Sequence, residues 1–479
     1  DAHGYSDGYT HGDANRHANT DRHTDADRHT DVDPYAYGDA DRDTDAYGDA
    51  DRDTDAYGDA DRNCNTDRDA HRDPDALDHT QWDNSHARRR RNSLKVARIH
   101  PMETFDLLKQ LTEAPGPTGN EEGAAAVIEP LWRPLVDEIV ADRVGSLLGI
   151  KRGTGPADRP RPSILLAAHL DELGLMVSRI VEHGGYGFLR VTGLGGVDRR
   201  HLLGQTAVVH GVKPLTGVLG GLPYAYLPEK ERDKAFSYET LVLDVGLPIE
   251  QVRAMVSIGD FITFRQPLRK LSNGRVAGKA LDNRSSMAAV TICLEHLQER
   301  RHSWDVIAVA TSQEEETFLG AYTSAYAQRP DAAVAIDVTH AKGPGSNDSE
   351  LAELGGGPVL GIGANVHPGL FKALRDAADA LEMKVGIEPH AAGSGTDAYA
   401  IQIAREGIPT GLVSIPLRYM HTMVETIDMA DVERVGRLLA EMIARLDDHF
   451  MEDIREEMMR PHKPARNGAD QNGTKDDRA

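Results

Sequence analysis

Cysteine is almost absent: Cys64 and Cys293 are the only two in 479 residues. Cys64 stands in a strongly polar stretch and Cys293 in an amphipathic helical pattern. No disulfide between them is expected, and nothing demands an oxidising compartment, so a reducing cytoplasm is the default reading. Also missing is any apolar run near the ~18–20 residues that span a bilayer. The N-terminus lacks the charged-then-apolar pattern of a secretory signal. Lys and Arg number 54 against 77 Asp and Glu, a formal charge of −23. That leaves little positive surface to match phosphates, which argues against nucleic acid or an anionic membrane as partner.

Aliphatic side chains are missing from one end. Within the first eighty residues only Val32 and Leu77 go beyond alanine, and the decapeptide Asp-Ala-Asp-Arg-Asp-Thr-Asp-Ala-Tyr-Gly at 39–48 recurs at 49–58. Such a segment cannot bury enough apolar surface to offset its chain entropy, so residues 1–101 read as a disordered tail. The alternating Asp lacks both the Gly-rich spacing of a calcium β-roll and the EF-hand loop. His3, His11, His17, His23 and His29 read as solvated, and Arg88–Arg91 as incidental, a nucleic-acid contact being the sharper alternative. The first methionine, Met102, directly precedes the first amphipathic pattern. Shifted by one base, GC-rich codons for the decapeptide would read as a low-complexity run of Thr, Pro and Ala. Upstream or frame-shifted translation of residues 1–101, with the native product starting at Met102, is therefore expected.

From Met102 the chain reads as a globular α/β protein. Helical patterns cover Phe105–Leu111 and Glu121–Leu135, and Ile139-Val140 and Leu147–Ile150 suggest edge strands. Three fully apolar runs follow, Ile164–Ala168, Val306–Ala310 and Ala332–Ile336, and a fourth run, Leu412–Ile415, is interrupted only by Ser414. Runs without alternation predict strands buried on both faces, as in a parallel sheet. Each leads to chemistry at or beyond its end: His169-Leu170-Asp171-Glu172, Gln313-Glu314-Glu315-Glu316, Asp337 and His421. Ligands in open α/β sheets gather at the carboxyl edge, so these residues can converge. Three adjacent carboxylates repel one another unless a cation sits among them, and a bivalent metal site is the natural reading. A lone His after a strand is more often structural; four such ends together are not.

Between these strands, 176–267 has a different texture. Six short β-rich runs (Met176–Ile180, Phe188–Val191, Ala207–Val209, Thr216–Leu219, Leu241–Val245, Phe261–Phe264) are separated by Gly, Pro and charged turns. This predicts an inserted small β-barrel or sandwich. Gly193-Leu194-Gly195-Gly196 opens no helix, so it is no dinucleotide loop, and Gly274–Ala280 lacks P-loop spacing. Asp282 falls on the turn entering a helix with Met287, Val290, Leu294 and Leu297 on one face, where an N-cap is the bland reading. Further helices are predicted over Gly369–Leu381 and Asp428–Leu446, and a frayed, disordered tail over 461–479.

In order, His169-Leu170-Asp171-Glu172-Leu173-Gly174, Ala280-Leu281-Asp282-Asn283-Arg284, Gln313-Glu314-Glu315, Ile336-Asp337-Val338-Thr339-His340 and Met420-His421-Thr422 resemble the motifs of the M42 metallo-aminopeptidases, which include glutamyl aminopeptidases and TET peptidases. The resemblance spans Met102 to about 450. It implies a three-layer α/β/α catalytic domain (102–175 and 268–460) with an inserted β-barrel dimerisation domain (176–267). It also implies a homo-oligomer, from a dimer to a dodecamer of six dimers, acting on short peptides. By position, His169 and Asp337 would hold one metal and Glu315 and His421 the other. Asp282 would bridge both, Asp171 would orient His169, and Glu314 would be the general base. Four positive charges on two divalent ions would face three ligand carboxylates, and His plus carboxylate donors suit zinc or cobalt better than calcium or magnesium. The chain departs from the family at Glu316-Thr317, where Val-Gly is common, and at Thr422-Met423, where Ser-Pro is common. Ser394-Gly395-Thr396-Asp397 resembles the family's pocket loop, or is a turn with Thr396 capping the next helix.

Other readings are a related dimetal carboxypeptidase or deacylase, a family member labelled endoglucanase, and a non-catalytic assembly module. Glycoside cleavage needs two carboxylates flanking a sugar, whereas these acids look committed to metal. An intact Glu314 speaks against the assembly module.

Overall fold

The computed structural model describes residues 102–154, 160–232, 234, 236–346 and 351–459. The readings of residues 1–101 and 461–479 lie outside them.

The four apolar runs form four parallel neighbours in one sheet: Asp305–Thr311, Ser163–His169, Ala332–His340 and Thr410–Arg418. Their alternate side chains feed two cores. Ile164, Leu166, Val306, Ala308, Val334 and Ile336 pack in the larger one, beneath helices Leu281–His296, Pro368–Ala380 and Met429–Arg445. Leu165, Ala167, Ile307, Val309 and Ala333 pack on the opposite side, with Ala321 and Ala325 of helix Leu319–Gln328 and Ile401 of helix Asp397–Gln402. Burial on both faces is why these strands carry apolar runs broken only by Ser414, and the result is the expected three-layer α/β/α arrangement.

Antiparallel strands extend the sheet at both sides. Glu138–Ala141 is an edge strand, but Leu147–Lys151 is interior, pairing with Glu138–Ala141 and with Asp305–Thr311. That second pairing explains its nearly continuous burial. The second helix runs Glu122–Trp132, shorter than its apolar pattern. The predicted helices over 369–381 and 428–446 are found as Pro368–Ala380 and Met429–Arg445.

All six β-rich runs of the insertion are strands, and they close into an antiparallel barrel. Its order is Gly174–His183, Tyr186–Leu194, Val242–Pro248, Pro214–Gly220, Thr206–His210 and Phe261–Phe264. Leu175, Val177, Leu189, Val191, Ala207, Val209, Leu243 and Ile262 fill it. Closure leaves no unpaired sheet edge, and it decides for a barrel over a sandwich.

Candidate metal centre

Strand register brings the candidate residues to one level. Thr311 is paired with His169, and Ala335 with Ala167. Continuing the second register by two residues sets Asp337 beside His169. The strand holding Asp337 runs on to His340 rather than stopping at Ile336, because it keeps pairing with Thr410–Arg418 as far as Leu417. Asp282 arrives from the other direction. Ala280 takes a left-handed conformation, and Asp282 and Asn283 are non-helical ahead of the regular helix. That break turns the Asp282 side chain to the sheet edge instead of along the helix.

Two groups of three result, and they share one residue. Oxygen and nitrogen atoms of His169, Asp282 and Asp337 lie within 4.8 Å of one another, as do those of Asp282, Glu315 and His421. The Asp282 carboxylate divides between them: Oδ1 is 3.1 Å from His169 Nε2 and Oδ2 is 3.5 Å from His421 Nε2. His169 Nε2 is 4.0 Å from Asp337 Oδ1, and His421 Nε2 is 3.7 Å from Glu315 Oε2. Glu314 Oε2 stands 3.7 Å from His169 Nε2. The His421 side chain is 37% exposed and the other four ligand candidates are 8% or less, so the site opens at His421.

Asp171 organises one side of the centre. Its carboxylate lies 3.4 Å from His169 Nδ1 and accepts the backbone N–H of Glu314 (3.0 Å) and of Glu315 (3.2 Å). The Thr118 hydroxyl donates to it at 2.9 Å. A proton on His169 Nδ1, facing Asp171, leaves Nε2 free to ligate. The neighbouring Glu172 accepts from Lys279 Nζ at 2.5 Å and from the Gly116 N–H, a buried pair behind the site.

The electrostatics are those of crowded, buried acids. Burial first, and then the charge of Asp282, push Glu315 up to about 8. Burial likewise raises Glu314 and Asp337 well above the carboxylate range. Burial also opposes ionisation of Asp282, but hydrogen bonds from His169 and His421 outweigh it and hold its carboxyl low. His421 is lifted to about 9 by Asp282 and Glu315 against its own burial. Glu315 Oε1 is buried without a hydrogen-bond partner. Acids brought this close with an oxygen left unsatisfied form a donor set suited to divalent cations, which the His and carboxylate chemistry also fits.

The barrel meets this centre through Gly193-Leu194-Gly195-Gly196. Gly195 N–H donates to Glu316 Oε1 at 2.7 Å, and the Gly196 carbonyl lies 3.1 Å from His421 Nδ1. A Cβ on Gly196 would stand 2.8 Å from that nitrogen, so any side chain here would displace the His421 ring. Glu316, which had no role in the sequence reading, thus bonds to the barrel. Thr396 caps the helix it precedes, accepting from the Ala398 N–H, and Asp397 accepts from the Thr311 hydroxyl at 2.6 Å. Glu425, Thr118 and the Glu172–Lys279 pair were not singled out from sequence. The spacing of Glu425 four residues after His421 was the available signal.

A model of the M42 glutamyl aminopeptidase family matches residues 145–438. The lysyl aminopeptidase of Pyrococcus furiosus is 32% identical over 72% of this chain and 98% of its own length. The structure of a TET aminopeptidase from a marine sediment Thaumarchaeota archaeon matches with a TM-score of 0.68 and 31% identity, covering 73% of this chain and 98% of that one. A Pyrococcus horikoshii TET1 peptidase, described as assembling into a tetrahedron or a large octahedral shell, matches with a TM-score of 0.63 and 27% identity, over 72% of this chain and 100% of that one. The fold is therefore that of a peptide hydrolase, and the two groups of three residues could each hold a metal ion. The chain belongs to the M42 family of aminopeptidases, which are metal-dependent peptidases. Among the described residues no helix is long and apolar enough to cross a membrane.

Proposed function

We propose that the protein is a dimetal aminopeptidase that removes N-terminal residues from short peptides, with Glu314 as general base. The observation that carries this reading is the sharing of Asp282 between two groups of three ligands. His169 and Asp337 would hold one ion, Glu315 and His421 the other, and Asp282 both. The donor set favours zinc or cobalt. When bound, the ions supply Lewis acidity, which lowers the pKa of water and stabilises the charge that develops on the peptide carbonyl oxygen.

The chain's own residues do the rest. Glu314 Oε2 takes the proton from the attacking water as the water oxygen bonds to the first peptide carbonyl carbon. When the C–N bond breaks, Glu314 returns that proton to the departing amine. Its position supports this role: Glu314 Oε2 stands 3.7 Å from His169 Nε2, beside the two ligand groups but in neither. Asp171 keeps His169 oriented and fixes the backbone that presents Glu314 and Glu315. A homo-oligomer joined through the barrel is part of the same proposal. Leu222, Tyr224 and Tyr226, close together in the chain, are each more than half exposed in this insertion, and a contiguous exposed apolar patch marks an association surface.

The test is turnover of a panel of aminoacyl chromophores by protein reconstituted with zinc or cobalt, alongside the same peptides N-acetylated. Turnover of free-amine substrates that disappears on chelation is expected. Preference for the acetylated set, or turnover indifferent to chelation, would overturn the proposal.

A further inference from the structure

Glu425 belongs to neither ligand group, yet its two carboxylate oxygens each accept a backbone N–H from a residue that does. Oε2 accepts from Asp282 at 3.0 Å and Oε1 from His421 at 3.0 Å. Glu425 is 2% exposed and stands at the start of strand Glu425–Asp428, where it pairs with Gly278 in the strand leading to Asp282. Both backbones need such support. Asp282 sits in the non-helical break, where its N–H has no helical partner, and His421 is held at φ +62, a left-handed conformation that a side chain disfavours.

We infer that Glu425 is a positioning residue that fixes the spacing between the Asp282 and His421 ligands by holding both backbones on one carboxylate. Two of the three ligands in the Asp282–Glu315–His421 group depend on it, against one of three in the His169–Asp282–Asp337 group. The inference rests on the dimetal reading above. Removing the clamp therefore weakens the ion beside His421 more than the ion beside His169.

The test uses the full chain, stripped by chelation and titrated with cobalt by calorimetry and visible absorption. Glu425→Gln keeps the size but has one oxygen, so one backbone N–H faces an amide NH2. The ion beside His421 is expected to bind roughly 10- to 100-fold more weakly, the range for loss of an outer partner of a metal ligand, with a changed cobalt spectrum. Asp431→Asn is the control. Asp431 is also fully buried and also accepts two backbone N–H groups, from Gly355 and Gly357, but it is in neither ligand group. It should lower the melting temperature and leave both cobalt affinities and the spectrum unchanged. If Glu425→Gln fails to fold, Glu425→Asp, which retains the charge and draws it back by one methylene, is read the same way. Two ions bound with wild-type affinity and spectrum in the folded variant would overturn the inference. Wild-type protein that binds no second ion would instead overturn the dimetal reading on which it rests.

Discussion

The carbonyl of Gly196, in the loop after barrel strand Tyr186–Leu194, lies 3.1 Å from Nδ1 of His421, in the turn between strands Thr410–Arg418 and Glu425–Asp428. A proton on Nδ1 donated to that carbonyl leaves Nε2 as the free nitrogen, facing Asp282 and Glu315. Gly196→Ala would place a Cβ 2.8 Å from Nδ1 and force the ring aside. Cobalt calorimetry is expected to show the ion beside His421 weakened at least about tenfold, with the barrel still folded by circular dichroism.

Glu316 ties the same loop down from the other side. Glu316→Val, which restores the residue common in the resembled family, removes the acceptor of the Gly195 N–H. Hydrogen exchange at Gly195 should speed up by roughly five-fold, the scale of one lost hydrogen bond. Turnover should fall less than in any ligand variant, since Glu316 touches no ligand side chain through this bond.

Glu314→Gln separates proton transfer from binding. The amide cannot take the proton, so turnover should drop about 10²- to 10⁴-fold. Cobalt affinity should stay near that of the wild type, because Glu314 is in neither ligand group. Unchanged turnover in this variant would dismiss Glu314 as the base.

Without metal, the centre makes stability depend on pH. Burial and the Asp282 charge raise Glu315 from 4.5 to about 8 in the fold. His421 rises from 6.5 to about 9, Asp282 and Glu315 overcoming its burial. A group whose folded pKa is raised contributes stability that is complete below its unfolded value and is lost as pH rises through the folded one. Asp282, held low, acts oppositely, but only in acid. The melting temperature of chelated protein should therefore fall between about pH 5 and 9. With zinc or cobalt present the slope should shrink or reverse, because the bound form needs these ligands deprotonated.

Much of this was legible in the sequence because buried parallel strands write themselves as unbroken apolar runs. Ile164–Ala168 and Val306–Ala310 announced both the sheet and the edge where His169 and Glu314 would stand. The six strands of the barrel were legible for a similar reason, short apolar runs between turn residues. Strand lengths were less so: nothing local says that Ala332–Ile336 continues to His340, since that depends on pairing with Thr410–Arg418. Least legible were contacts between distant backbones. Glu425 holding Asp282, and Glu316 holding Gly195, are set by how two segments pack, and a carboxylate in the sequence carries no mark of which N–H it will meet.

Asp282 stands in both ligand groups, so the number of ions bound per chain reports on its shared role. Metal-free wild type, Asp337→Asn, Glu315→Gln and Asp282→Asn would each be titrated with cobalt and the ions per chain counted. Two sites are expected in the wild type, with Asp337→Asn and Glu315→Gln each weakening one and Asp282→Asn weakening both. An Asp282→Asn protein that still binds two ions with wild-type affinity would contradict the shared-ligand centre.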